Sequence, residues 1–252
     1  MKKRLLLGIA TILFVAYESI AFYQIHIKMI DQNNRIRYAC IIAAAVFSLV
    51  TLIIELVTAK SEAKRLSDVL FNIHDGNLLR IAMIFTLVAD YYMVAMTEAD
   101  NLTGVTVFLG TQLFIFLHIV ANDSNRKSRT ANIFFRICLM AVIVPATFAI
   151  MGESVDPLSV IGVIYFANLC ANAVFAHRIG RGGIFLTVGL ILFALCDINV
   201  GLSELSNIYT DGLDEGSLLY ALTNSDMDII WVFYIPSQTL IPLTLLIKPE
   251  NK

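Results

Sequence analysis

Asp90 and Asp197 are the side chains in this sequence best suited to chemistry. Asp90 closes the run I-A-M-I-F-T-L-V-A-D, and Asp197 closes I-F-L-T-V-G-L-I-L-F-A-L-C-D. A carboxyl group held in hydrocarbon is costly, so such residues face a protein interior and have a task there. A close carboxyl pair divides into an acid and a base, because two adjacent like charges resist ionising together. The chemistry open to that pair is general acid–base hydrolysis with no metal and no cofactor. Glu18 is a third acid in an apolar run, and Gln112, Asn168, Tyr234 and Gln238 are polar residues able to position a substrate or a water. Each of these also has a plainer role, since polar groups in membranes commonly join helices to one another.

Other chemistries fit less well. The four histidines (His26, His74, His118, His177) form no H-x-x-x-H or H-E-x-x-H spacing, which leaves a three-ligand zinc site hard to assemble. There is no G-x-S-x-G and no glycine-rich phosphate loop. Cys40, Cys138, Cys170 and Cys196 are scattered through apolar segments and read as small hydrophobes. A net charge of -2 offers no basic face for nucleic acid.

The elements that must carry the acids are membrane helices. The chain has 252 residues, 58% of them hydrophobic and 15% charged. Soluble domains are about 45–50% apolar and about 25% charged. The composition predicts an all-α, polytopic bundle forming a single transmembrane domain over 1–252. Eight apolar stretches of spanning length lie near 5–23, 38–57, 78–96, 102–121, 132–150, 157–177, 183–202 and 228–247. The opening M-K-K-R and its apolar run imitate a signal peptide. However, S-I-A-F at 19–22 is a poor cleavage site and Glu18 interrupts the run, so the first helix reads as retained.

Charge gives the direction. With both termini in the cytoplasm, fifteen of the 18 lysines and arginines fall on the cytoplasmic side, Arg80 and Arg136 among them. Lys28, Arg35 and Arg37, in the first outer loop, are the discordant three. The loop 203–227 carries Glu204, Asp211, Asp214, Glu215 and Asp226, and reads as a solvated acidic loop or as a lid attracting cationic head groups. Asn101-Leu-Thr103 spells a glycosylation sequon in a very short loop.

Helices one, three and seven then run the same way. Helix rise puts Glu18, Asp90 and Asp197 within ~3 Å of one another in depth, in the outer half of the membrane. Tyr234 falls near that level, and Gln112, Asn168 and Gln238 one or two turns deeper. His118 and His177, near helix ends, read as interfacial. The Asp–Gln order recurs, Asp90 then Gln112 on the next helix, and Asp197 then Gln238 on the next. That order suits a duplication about an axis along the membrane normal.

Around the aspartates the chain resembles the lysoplasmalogenase (YhhN-like) family of membrane hydrolases. The stretches that carry the likeness are L-V-A-D-Y-Y-M-V at 87–94 with L-T-G-V-T-V-F-L-G-T-Q-L-F-I-F-L-H at 102–118, then G-I-F-L-T-V-G-L-I-L-F-A-L-C-D at 183–197, then Y-I-P-S-Q-T-L-I at 234–241. The family usually has Gly and Ser before its two aspartates; here Ala89 and Cys196 stand there. Its Tyr three residues after the His is Ala121, and its Lys-Pro segment is absent from 58–77. The resemblance implies an integral protein of a bacterial inner membrane. It further implies cleavage of the vinyl ether of a lysoplasmalogen, with a membrane lipid as partner and substrate, Asp90 and Asp197 as catalysts, and Tyr234, Gln238 and Gln112 as positioning groups. The residues alone equally suit a proton-coupled transporter or a membrane sensor using the same acids. Head group, chain length and oligomeric state stay open.

Overall fold

The computed structural model describes residues 2–26, 34–61, 76–152, 155–208 and 229–247, with positions 65, 67 and 69. Those residues form eight helices long and apolar enough to cross a membrane, and no strand. They are α1 (Lys2–His26), α2 (Asn34–Ser61), α3 (Asn77–Asp90), α4 (Asn101–Asn122), α5 (Arg126–Met151), α6 (Pro157–Phe175), α7 (Gly183–Ile208) and α8 (Ile229–Leu243). A π-helical turn, Tyr91–Ala95, prolongs α3, and 3-10 turns follow α6 (Ala176–Ile179) and α8 (Thr244–Leu246). The chain is an integral membrane protein.

Several helices outrun their apolar stretches. Hydropathy starts the fifth span at 132, yet α5 starts at Arg126, where Asn125 caps it by accepting hydrogen bonds from Lys127 N and Ser128 N. Hydropathy marks the part of a helix that lies in lipid, and a cap marks where the helix begins. Asp100 and Asp156 cap α4 and α6 in the same way, each accepting from the amide three residues on. The sequon therefore lies in the first turn of α4. α7 continues to Ile208, into the segment expected to be an acidic loop, and the rest of that segment, 209–227, lies outside the described residues.

Six helices close a ring. Going round it, α2 packs on α3, α3 on α4, α4 on α6, α6 on α7, α7 on α8, and α8 on α2. α1 lies outside against α2 and α8, and α5 lies outside against α6. These two spans are the least buried, at 17% and 11%, and they turn Ile12, Leu13, Phe134, Ile137 and Val142 outward, as lipid-facing helices do. The order of packing repeats after four helices, with α1–α4 matching α5–α8. The tightest seams repeat too, α3 with α4 and α7 with α8. Matching positions on α4 and α8 read Phe108-x-x-Thr111-Gln112 and Tyr234-x-x-Ser237-Gln238.

Small residues close the two seams. A Cβ on Gly189 would sit 2.8 Å from Ile241 Cγ1 and 3.3 Å from Ser237 O, so only glycine lets α7 and α8 approach this closely. Gly104 does the same for α4, where a Cβ would meet Ala89 O at 3.3 Å, one residue before Asp90. Inside the ring, Leu79, Met83, Ile115, Leu169, Leu186, Leu190 and Phe193 are all but fully buried.

Candidate functional site

The aspartates lie on opposite halves of the ring and each accepts a tyrosine hydroxyl. Tyr165 on α6 donates to Asp197 Oδ2 at 2.6 Å. Tyr234 on α8 donates to Asp90 Oδ2. Both tyrosines are buried. The two Asp–Tyr pairs belong to one side-chain cluster.

Aromatic rings link the two pairs. Tyr165 packs on Phe108 (centroids 5.7 Å apart), Phe108 on Phe193 (5.6 Å), and Phe193 on Tyr234 (5.3 Å). Trp231 meets Tyr234 edge-on at 5.2 Å. Such contacts hold each phenol ring firmly, which fixes where its hydroxyl sits. Irregular backbone flanks both members of the Asp90 pair. The π-helical turn begins immediately after Asp90, and turns of this kind recur at functional sites. On the other side Pro236, two residues after Tyr234, removes an amide donor from α8. The two pairs differ in access, since Asp90 is 3% exposed while Asp197 is half-buried.

Other expected residues divide between this cluster and its surroundings. Tyr234 joins Asp90 directly. Gln112 and Gln238 are fully buried, one helical turn from Phe108 and Tyr234 on the same helix faces. Glu18 does not join the aspartates' hydrogen bonds. It is buried where α1 packs on α2, against the Cys40 thiol, because α1 stands outside the ring. Matching depth along two helices does not bring their side chains together when one helix is peripheral. Asn168 is likewise turned elsewhere. Its Oδ1 accepts from Arg136 Nη1 at 2.7 Å, toward α5.

Three further residues are buried within the bundle. Arg136, counted with the cytoplasmic charges, lies within the α5 span and is buried. Arg80 is 3% exposed and pairs with Glu55 Oε2 at 2.8 Å. His118, expected at the interface, is 4% exposed, with Asn122 Nδ2 3.2 Å from its Nδ1, whereas His177 is exposed. Tyr165 was not anticipated at all. Its one signal in the sequence is a lone tyrosine seven residues before Asn172 on the same face of an apolar helix.

At the ends of the bundle, exposed carboxyls behave as caps. The Thr103 amide and then its hydroxyl hold the Asp100 carboxyl below the usual carboxylate range. The Ser159 hydroxyl and then its amide do the same for Asp156. Among the described residues, no three His, Cys, Asp or Glu side chains gather closely enough to hold a metal ion.

No family model, curated protein or solved structure matches this chain. The site's own geometry therefore carries the functional argument. It offers two carboxyls, each oriented by a phenol, inside an aromatic-lined ring of membrane helices. That arrangement can take up, hold and return protons.

Proposed function

We propose that this protein is a membrane hydrolase that cleaves the vinyl ether bond of lysoplasmalogens, releasing a fatty aldehyde and a glycerophospho head group. The single observation that carries the reading is the pair of aspartates, each held by a tyrosine hydroxyl within one interior. The short motifs shared with the lysoplasmalogenase family supply the substrate class.

The chemistry needs one acid and one base. A protonated aspartate gives its proton to the β-carbon of the vinyl ether, and the double bond's electrons form the new C–H bond. The adjacent carbon becomes an oxocarbenium ion, whose charge the other carboxylate stabilises. Water adds to that carbon and yields its proton to the carboxylate, giving a hemiacetal. Collapse of the hemiacetal breaks the C–O bond, with one carboxyl protonating the departing glycerol oxygen while the other takes the hemiacetal proton. The balance is vinyl ether plus water to aldehyde plus alcohol. In the proposed topology both termini are cytoplasmic and the aspartates lie nearer the outer surface.

A second reading has its own support. Packing that repeats after four helices is also the architecture of transporters built from parallel repeats, whose ion sites lie between the halves. Purified protein given a lysoplasmenyl lipid separates the two. Aldehyde release that depends on Asp90 and Asp197 supports hydrolysis. Proton-driven uptake into vesicles without aldehyde supports transport.

A further inference from the structure

Arg136 occupies an unusual position for a membrane arginine. It projects from the peripheral helix α5 toward α6 and α4, its guanidinium 4.3 Å from the Phe116 ring. Its Nε donates to Asn132 Oδ1 at 2.9 Å, Nη1 to Asn168 Oδ1 at 2.7 Å, and Nη2 to Asn172 Oδ1 at 2.5 Å. These partners are all amide oxygens. A buried arginine held by neutral amides is costly unless the cation does something a neutral residue cannot.

What it does follows from direction. A guanidinium only donates, so Asn172 must turn its Oδ1 toward Arg136 and its Nδ2 away. That Nδ2 donates to Gln112 O at 2.9 Å and to Gln112 Oε1 at 2.8 Å. Gln112 therefore has its oxygen committed to Asn172, and its Nε2 is left over. This Nε2 is fully buried and has no hydrogen-bond partner among the described residues. Gln112 lies one turn from Phe108, on the face that meets Tyr165 and Phe193 across the ring. On the matching helix the polarity is reversed. Gln238 donates Nε2 weakly to Ser237 Oγ at 3.4 Å and leaves its Oε1 buried without a partner.

We infer that Arg136 is a positioning residue that, through Asn172, fixes Gln112 as a hydrogen-bond donor toward the ring interior, so that the ligand group seated there is an uncharged oxygen acceptor such as an ether, a hydroxyl or a water. The identity of that ligand as an ether lipid rests on the proposed function; the amide orientation does not. Without the arginine, either amide of the chain is free to flip, and the donor is presented only part of the time.

Asn172→Asp tests this by reversing the polarity. The introduced carboxylate still accepts from Arg136 and gains an ion pair with it, so the variant folds. It has no proton to give Gln112, whose amide must turn its Nε2 toward the new carboxylate. The chain has only four glutamines, at 24, 32, 112 and 238, so their side-chain amides are resolvable by 15N NMR in lipid nanodiscs. The probe is a lysophospholipid with a saturated alkyl ether, which binds but is not cleaved. In the wild type we expect one Gln112 amide signal pair that moves when the probe is added. In Asn172→Asp that pair shifts downfield, no longer responds to probe, and the probe binds about tenfold more weakly, the scale of one lost hydrogen bond. In Arg136→Met the Gln112 signal splits or broadens as both flips are populated. A Gln112 signal unchanged by both substitutions overturns the inference, and so does probe that binds without moving it. Probe that fails to bind the wild type overturns the lipid assignment, while the amide signals still decide the role of Arg136.

Discussion

Removing one oxygen atom should measure how strongly Asp90 depends on Tyr234. Tyr234→Phe keeps the ring and hence its contacts with Phe193 at 5.3 Å and Trp231 at 5.2 Å, so no cavity opens. What is lost is a hydroxyl donor to a carboxyl that is 3% exposed, where water is poorly placed to substitute. Leaving a buried group without its hydrogen-bond partner costs about 1–3 kcal/mol, a factor of roughly 5 to 150. The same change at Tyr165 should cost a similar amount, about 1–3 kcal/mol, because Asp197 also loses a phenol donor within a membrane span. A double-mutant cycle of Tyr234→Phe with Asp90→Ala, which removes the acceptor, read by steric-trapping unfolding in bicelles, isolates the pair. Coupling of about 1–3 kcal/mol is predicted. Effects that add to within about 0.5 kcal/mol would show that the contact contributes nothing specific, and the argument for a phenol-oriented acid would fall.

Three further predictions use other parts of the bundle. Glu55→Gln should destabilise by about 1–3 kcal/mol in the same unfolding assay, since Arg80 loses an ionic partner at 2.8 Å but keeps Asn77 and Thr51; no change would place the pair among those of little worth. Gly189→Val should cost about 1–3 kcal/mol by forcing Ile241 and the Ser237 carbonyl away, and a variant as stable as wild type would contradict the tight α7–α8 seam. Asp100 and Asp156 have lowered pKa values, so their capping stabilises the folded state above the ordinary carboxyl range and is lost as pH falls through the lowered values, below about 4. Hydrogen exchange at the Thr103 and Ser159 amides, corrected for intrinsic rates, should show protection at neutral pH that disappears in that window. Protection unchanged down to about pH 2, well below the ordinary carboxyl range, would refute it.

The spans were legible because a membrane helix is written in hydropathy, and the shared level of Tyr234 and Asp90 was legible because position along a helix sets depth. The ring itself was not. Glu18 lies at the same depth as the aspartates yet outside their cluster, since nothing in a span's own sequence says whether it packs at the centre or the edge. α1 and α5 are as apolar as the ring helices, and only packing separates them. Arg136 and Arg80 were counted with the cytoplasmic charges, and a count by side carries no trace of the amide and carboxylate partners that bury each of them. Tyr165 and the π-helical turn depend on long-range contacts, and a single sequence carries almost no trace of either.

The central claim is that Asp90 and Asp197 together carry out proton transfer on an ether lipid, and aldehyde release tests it most directly. Purified wild-type protein in nanodiscs with a lysoplasmenyl lipid should release fatty aldehyde, and Asp90→Asn and Asp197→Asn should each abolish it while leaving the folded helical content intact. Aldehyde release that persists after either substitution would contradict the account.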